Sequence, residues 1–267
     1  MTRYPAIDLA GAVVAVTGGA RGIGAATAEA FAARGAQVHV GDLDGPVHLD
    51  VTSRESFAAF VAAAPGPIDV LVNNAGVMPL GAFLDEDDAT SATTLDVNVW
   101  GLINGTRAVA PGMLERGRGH IVNVASMAGK IAIPGLAVYN ASKFAAVGLS
   151  RAVRAEFEPG GVSVSAVLPS AVRTGLASGV PLGHGMPTVD PSDVADAVVD
   201  TVRHRRAEVP VPRYLAGWDV LDALTPAPVM RLGRRLLGDR RALTSVDHAA
   251  RAEYEQRVAE QARRVAR

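Results

Sequence analysis

The sequence predicts an α/β protein with a doubly wound parallel sheet of about seven strands, helices on both faces and a C-terminal helical extension. Short β-branched runs alternate with longer Ala-rich stretches as far as residue 212. The short runs are almost wholly apolar, as strands are when both faces of a sheet are covered. With 49% hydrophobic and 20% charged residues, the 267-residue chain can bury a sizeable core.

Each element follows from its local pattern. Strands are predicted where Val, Ile and Ala run together, and helices where apolar residues recur at helical spacing. The predicted strands are residues 12–17, 37–42, 47–49, 68–76, 119–126, 161–169 and 208–212. The predicted helices cover residues 22–35, 87–116 and 139–157, and one more follows Ser192, which is placed to cap it. Ligands are expected at the carboxyl ends of such strands.

Composition excludes several classes of function. The chain has no cysteine, which excludes disulfides, thiolate metal sites and a cysteine nucleophile, and we assign no metal ligands. A net charge of -1 argues against nonspecific nucleic-acid binding. No stretch approaches the roughly 20 apolar residues of a membrane span, and the N-terminal apolar run lacks a signal-peptide cleavage site. We therefore expect a cytoplasmic protein.

Residues 213–267 differ chemically from residues 1–212, which we predict to be a single catalytic domain. The extension carries 11 Arg against 7 acidic residues. Its first part is a basic amphipathic segment, in which apolar and basic side chains interleave: Leu215, Trp218, Leu221, Leu224, Met230, Arg231, Leu232, Arg234, Arg235, Leu236, Leu237, Arg240 and Arg241. Residues 247–267 indicate a charged helix with little apolar stripe.

Three interpretations of this extension are open. It can form a helical lid or an oligomer contact over the body. It can make peripheral membrane or lipid contact through its Arg-rich part. It can recruit an acidic carrier protein. We favour the first.

A glycine-rich turn follows the first strand. In "TGGARGIG", Gly18, Gly22 and Gly24 open the first helix. Glycines allow a tight turn and close approach of a pyrophosphate to the free N–H groups of a helix N-terminus. The spacing lacks the Gly-Lys-Ser/Thr of a phosphate-binding P-loop. The turn therefore indicates dinucleotide binding rather than phosphoryl transfer.

A second group of residues points to proton transfer. Tyr139 and Lys143 are four residues apart, so they share a helix face. An ammonium nearby stabilises a phenolate and should lower the pKa of the phenol toward neutrality. Lys143 is one of only two lysines, beside 24 arginines. Ser126 lies where the fifth predicted strand ends. These three residues are candidates for acid/base chemistry.

Together these motifs make the sequence resemble the short-chain dehydrogenase/reductase family over residues 10–212. The matching elements are Thr17 to Gly24, "NNAG" at 73–76, Asn98, Ser126 and "YNASK" at 139–143. The resemblance implies a Rossmann-type, NAD(P)-dependent oxidoreductase that forms a homodimer or homotetramer. Tyr139 would be the general acid/base, and Lys143 would lower its pKa and hold the nicotinamide ribose. Ser126 would orient the substrate oxygen, and Asn98 would keep a water in the proton relay.

The resemblance also implies the cofactor contacts. They are Gly18, Arg21, Gly22, Ile23, Gly24, Asp42, Asp50, Val51, Asn73, Ala75, Gly76, Tyr139, Lys143, Pro169, Val172 and Thr174. Asp42 ends the second strand, where a carboxylate bonds the ribose hydroxyls and repels a 2′-phosphate. Arg21 favours NADP, but an arginine can swing into water, so we expect NAD. Ser170 replaces the usual glycine after Pro169, which leaves the local conformation open.

The substrate is expected to be hydrophobic or alicyclic. Residues 175–190 are rich in Gly and Pro and lie where the family has a mobile substrate lid. The substrate contacts would be Ser126, Met127, Tyr139 and Leu176, within an apolar pocket that also includes Met78, Ile133, Leu136, Leu182 and Met186. His184 is interpreted as a solvated loop residue. The main function is an NAD-dependent secondary alcohol/ketone oxidoreductase. The alternatives are an NADPH-dependent 3-oxoacyl thioester reductase and a noncatalytic dinucleotide-binding sensor or scaffold.

The stretch "GDLDGP" at 41–46 is unusually short for its place. Family members usually have a full helix between the second and third strands, and a parallel crossover normally needs about a dozen residues or more. We therefore expect that helix to be missing or reduced to a turn, and the adenosine end of the cofactor to be more exposed than is usual.

Overall fold

The computed structural model describes residues 4–181, 187–226, 228–230 and 241–265. Seven strands form one parallel sheet, in which the third, second, first, fourth, fifth, sixth and ninth strands of the chain lie side by side in that order. The seventh and eighth strands, both short, pair separately. The strands are β1 Val13–Thr17, β2 Gln37–Asp42, β3 Val47–His48, β4 Val70–Asn73, β5 Gly119–Val124, β6 Val162–Pro169, β7 Ala171–Val172, β8 Thr188–Val189 and β9 Glu208–Val211. The predicted doubly wound Rossmann-type fold is confirmed.

Helices cover both faces of the sheet. They are α1 Gly22–Ala32, α2 Arg54–Ala62, α3 Asp88–Leu95, α4 Gly101–Glu115, α5 Ala137–Phe157, α6 Pro191–His204, α7 Trp218–Leu224, α8 Arg241–Thr244 and α9 His248–Val265. Alternate side chains of one strand enter different cores. Val14 and Val16 of β1 pack in the cluster that contains Phe31 of α1 and the valines of α6. Val13 packs in the cluster that contains residues of α2 and α4.

Three helical details differ from the sequence prediction. Helix α2 was not among the predicted helices, although Ser53 caps it by accepting from the Ser56 amide at 3.1 Å. The predicted helix 87–116 is interrupted by a π-helical turn at Asp96–Trp100. Asp190, not Ser192, caps α6, because Pro191 occupies the first helical position and needs no partner for an N–H.

The short connection after β2 is confirmed. Residues 43–46 form only a turn between β2 and β3, and β3 pairs directly with β2 in parallel. His48 Nδ1 lies 3.1 Å from the Leu43 carbonyl oxygen, across that turn. No helix lies between these two strands.

The C-terminal extension packs on the body through α9, which contacts α3. Val258 and Ala262 are buried in α9, and Tyr254 is partly buried. This i, i+4, i+8 stripe corrects the prediction of little apolar stripe in residues 247–267. The high proportion of charged residues obscured the stripe in the sequence. None of the helices in the described part of the chain is long and apolar enough to cross a membrane.

The amphipathic segment of the extension is described only in part. Leu215 and Trp218 pack against the cluster around Met127, whereas Leu221 and Leu224 are exposed. Outside the described residues lie Arg231, Leu232, Arg234, Arg235, Leu236, Leu237 and Arg240. The division of the chain at residue 212 stays a prediction.

Candidate active site

The carboxyl ends of the central strands open into a mostly apolar cavity of about 470 Å³. Most of the predicted site residues lie in its wall: Gly18, Arg21, Gly22, Ile23, Asp42, Asp50, Val51, Ala75, Gly76, Ser126, Met127, Tyr139, Lys143, Pro169, Val172, Thr174 and Leu176. Met78, Ile133 and Leu136 join them. Leu182, His184 and Met186 lie outside the described residues. The sheet therefore brings motifs from the whole length of the body to one edge.

The glycine turn is held in a close-packed arrangement. Gly18 has a φ of +64°, and a Cβ there would come within 2.8 Å of Ala75 Cα. A Cβ on Gly24 would lie 2.1 Å from the Gly18 carbonyl oxygen. Gly24 therefore packs inside the turn and does not line the cavity. The turn leaves the N-terminus of α1 beside the cavity, where an anion can meet its free N–H groups.

Asp42 reaches this turn from the short β2–β3 connection. Its Oδ2 accepts from the Ala20 amide at 3.0 Å, and its Oδ1 accepts from the Asp44 amide at 3.2 Å. Arg21 lies 3.6 Å from the Asp44 carboxylate on the surface. Two carboxylates therefore stand around the glycine turn, and the arginine there already has an anionic partner.

Asn73 does not line the cavity, and its cofactor contact stays a prediction. Its Nδ2 donates to Asn123 Oδ1 at 2.9 Å, within the sheet. Because β4 ends at Asn73, the next side chain turns toward the glycine loop. Asn74 lines the cavity and donates to the carbonyl oxygens of Thr17 and Gly18 at 3.0 and 2.9 Å. The second asparagine of "NNAG" was the one the prediction missed.

Asn98 lies behind the cavity wall in the π-helical turn and is fully buried. Its Oδ1 accepts from the Val77 amide at 2.9 Å, and its Nδ2 donates to the Val77 carbonyl oxygen at 2.9 Å. Nδ2 also donates to Ser142 Oγ at 3.0 Å. Asn98 therefore fixes the segment after β4 against α5, close to Tyr139.

Tyr139, Ser126 and Lys143 meet at the inner end of the cavity. All three line the cavity, and Ser126 Oγ accepts from the Ala128 amide at 3.0 Å. Lys143 Nζ lies 5.6 Å from the Tyr139 ring centroid and donates to the Val124 carbonyl oxygen at 3.1 Å. Burial lowers the pKa of Lys143 to about 8, because a low-dielectric environment disfavours its ammonium.

The pKa of Tyr139 differs from the prediction. Burial of the phenol raises it above its ordinary value, and this outweighs the hydrogen bond from Ser126, which lowers it. A negative charge on Tyr254 would raise it further. The predicted net lowering of this pKa is wrong in this structure, because desolvation disfavours the phenolate and outweighs the opposing contributions.

Ser170 fits its position without strain. Arg205 is the one non-glycine residue with positive φ in the described chain, so the backbone at Ser170 is open to any L-residue. Ser170 Oγ donates to the Pro187 carbonyl oxygen at 2.7 Å. This hydrogen bond connects the residue after β6 to Pro187, which directly precedes β8.

The C-terminal extension supplies cavity residues that the sequence prediction missed. They are Leu215, Trp218, Ala242, Tyr254, Arg257, Val258 and Gln261. In α9 they recur at helical spacing, which is the signal that could have identified them. The sequence analysis predicted little apolar stripe in α9, because the surrounding residues are mostly charged.

A glycine-lined turn at the head of a parallel sheet, with a buried phenol and amine beyond it, defines a dinucleotide-binding oxidoreductase of Rossmann type. A family model described as short chain dehydrogenase matches residues 41–182. The chain is 39% identical over 194 residues to a 3-alpha-(or 20-beta)-hydroxysteroid dehydrogenase of Mycobacterium tuberculosis, covering 65% of this chain and 74% of that protein. The chain belongs to the short-chain dehydrogenase family.

Solved structures agree with this assignment. A short chain dehydrogenase/reductase from Burkholderia phymatum in complex with NAD superimposes with a TM-score of 0.72 at 27% identity, covering 81% of this chain and 93% of that one. A short chain dehydrogenase from Burkholderia cenocepacia in complex with NADP gives 0.70 at 32% identity, covering 82% and 100%. Two other curated relatives are much longer, and the chain spans only 18% and 40% of their lengths.

Proposed function

We propose that the protein interconverts a hydrophobic or alicyclic secondary alcohol and its ketone with NAD, using Tyr139 as general acid/base. One observation carries this proposal. The buried Tyr139 lines a largely apolar cavity together with Ser126 and Lys143, and Lys143 lies one helical turn from it on α5. A proton donor so placed stands next to the oxygen of a bound ketone and can neutralise the developing alkoxide.

The residues around the glycine turn fit a dinucleotide. The close approach at Gly18 and Gly24 leaves no room for side chains, and the N-terminus of α1 is suited to a pyrophosphate. Asp42 and Asp44 stand beside the turn, and a 2′-phosphate near two carboxylates would be disfavoured. This supports NAD over NADP. The bound cofactor would supply or accept the hydride, and Lys143 would hold its nicotinamide ribose.

The proton state of Tyr139 suits reduction directly. Its raised pKa keeps the hydroxyl protonated at neutral pH, ready to donate to a substrate oxygen that Ser126 orients. In the direction of oxidation, Tyr139 must accept a proton, and the nearby Lys143 ammonium stabilises the phenolate that does so. Asn98 positions the segment between these groups and would hold the relay water.

The apolar side of the cavity supports the substrate class. Met78, Leu136 and Tyr139 form one buried cluster with Ala128 and Ala242. Such a wall favours ring systems or long apolar chains over sugars. The similarity to a hydroxysteroid dehydrogenase supports the same class.

A substrate panel with both cofactors tests the proposal. Steroids, terpene alcohols, aliphatic alcohols and acyl thioesters are assayed with NAD and with NADP. We expect turnover of an apolar alcohol with NAD, and Tyr139→Phe should lower kcat by at least about 100-fold while NADH binding is retained. Tyr214→Phe is the matched control, because Tyr214 is 72% exposed.

Two results would contradict the proposal. Substantial residual turnover in Tyr139→Phe would remove Tyr139 from the acid/base role. Turnover confined to acyl thioesters with NADPH would replace the proposal with the 3-oxoacyl thioester reductase. The homodimer or homotetramer and the cytoplasmic location stay predictions, as does the lipid contact of the Arg-rich segment.

A further inference from the structure

The C-terminal helix α9 brings a second phenol to the cavity. Tyr254 lines the cavity together with Tyr139. Its hydroxyl oxygen accepts from the Met78 amide at 2.6 Å, and Met78 belongs to the same apolar cluster as Tyr139. The hydroxyl therefore lies beside the Met78 backbone, next to the apolar wall that Met78 and Tyr139 share.

The hydrogen of the Tyr254 hydroxyl is available to a ligand. A phenol oxygen can accept and also donate one hydrogen, and the Met78 amide uses only the accepting capacity. Within the described residues, no acceptor for the Tyr254 hydrogen lies within bonding distance. Tyr139 lines the same cavity and shares its apolar cluster with Met78, so a ligand held against this wall can contact both tyrosines.

Arg251 holds Tyr254 in place from one helical turn away. Its guanidinium carbon lies 4.6 Å from the Tyr254 ring centroid. Its NH1 donates to the carbonyl oxygens of Leu176 and Ser178, both at 3.0 Å, and its NH2 donates to the Met78 carbonyl oxygen. The backbone of Met78 thus donates a hydrogen bond to Tyr254 through its amide and accepts one from Arg251 at its carbonyl oxygen. This fixes the phenol with little freedom to turn away.

We propose that Tyr254 determines specificity by donating its hydroxyl hydrogen to a second oxygen of the substrate, remote from the oxygen that reacts at Tyr139. The inference rests on the proposed function and narrows its substrate class. The substrate is an apolar ketone or alcohol that carries one further hydroxyl or carbonyl group. A substrate without that oxygen leaves the hydroxyl hydrogen of Tyr254 desolvated and without an acceptor, and a site built to bond an oxygen rejects the analogue that lacks it.

The test compares pairs of cyclic ketones that differ only in a second oxygen. The wild-type protein should prefer the oxygen-bearing member in kcat/KM. In Tyr254→Phe that member should lose about 5- to 10-fold in kcat/KM, mostly through KM, as expected for one neutral hydrogen bond. The member without the oxygen should lose clearly less in kcat/KM, because for that member only the Met78 amide loses a partner. Tyr214→Phe, on an exposed tyrosine, should change neither. Thermal unfolding and NADH affinity show whether each variant is folded.

Two outcomes overturn the inference. One is an equal change for both members of the pair in Tyr254→Phe, which a merely structural role would give. The other is an equal kcat/KM of the wild-type protein for both members of the pair, a result that needs no variant. Turnover that depends on Tyr139 but shows either outcome refutes this inference alone. Absence of any turnover by the wild-type protein refutes the proposed function and this inference with it.

Discussion

The packing of helix α9 on the body depends on the buried guanidinium of Arg251. We expect Arg251→Met to weaken this packing. Arg251 has no exposed side-chain surface and donates to three backbone carbonyl oxygens, those of Met78, Leu176 and Ser178. Methionine can fill much of the volume but leaves these acceptors unpaired. A hydrogen bond to a charged group contributes about 1.5–3 kcal/mol. Removing the guanidinium also removes the desolvation cost of a buried charge, which offsets part of the loss. We therefore expect the free energy of local opening of α9 to fall by about 3 kcal/mol.

Hydrogen exchange measures this loss where it occurs. A change of about 3 kcal/mol corresponds to roughly 150-fold faster opening. Amides of α9 and of residues 175–181 should exchange faster by about that factor in Arg251→Met, while strands β1 and β5 keep their protection. Arg263→Met is the matched control, because Arg263 is an exposed residue of the same helix. Equal exchange in the two variants would refute the anchoring role of Arg251.

Two further predictions concern the turn and the buried amine. Gly24→Ala places a Cβ 2.1 Å from the Gly18 carbonyl oxygen, so NADH affinity in a fluorescence titration should fall at least about 10-fold. Gly148→Ala is the control: a Cβ at this position of α5 meets open space, so the substitution should raise the free energy of unfolding by about 0.5–1 kcal/mol. Unchanged NADH affinity in Gly24→Ala would contradict the close packing of the glycine turn. The pKa of Lys143 is lowered to about 8, so folding expels a proton between that value and the unfolded value near 10.5, and stability rises with pH in that window. Denaturant unfolding at pH 7.5 and 9.5 should show wild type gaining about 2 kcal/mol relative to Lys143→Met, whereas a constant difference would show that the amine is not desolvated.

The sheet could be predicted from the sequence because both of its faces are covered. Strands of nearly continuous Val and Ile have few other places in a fold, and β2 begins and ends at the predicted residues. Helix boundaries were less predictable. The π-helical turn at Asp96–Trp100 has no local signal in a stretch that is helical on both sides.

The part of the site that is built from short sequence motifs was predictable. Tyr139, Ser126 and the glycine turn lie in the cavity wall because strand ends and helix starts place them there. The pKa of Tyr139 was not predictable, since it depends on burial by residues distant in sequence. Arg251 shows the same limit. In sequence it is one arginine among many in a charged helix, yet it is more deeply buried than most of the apolar core.

The burial of α9 bears on the three interpretations of the extension. A membrane surface or an acidic carrier protein would have to bind α9 through a face that remains exposed, because Tyr254 and Val258 line the cavity. Val258 also belongs to the core cluster that contains Val51 and Val97, so the helix joins the core beside the strand that follows the shortened "GDLDGP" connection. Releasing the helix would open both the substrate side and this cofactor side of the cavity. This placement of α9 in the cavity wall is what the lid interpretation requires, and that interpretation stays a prediction.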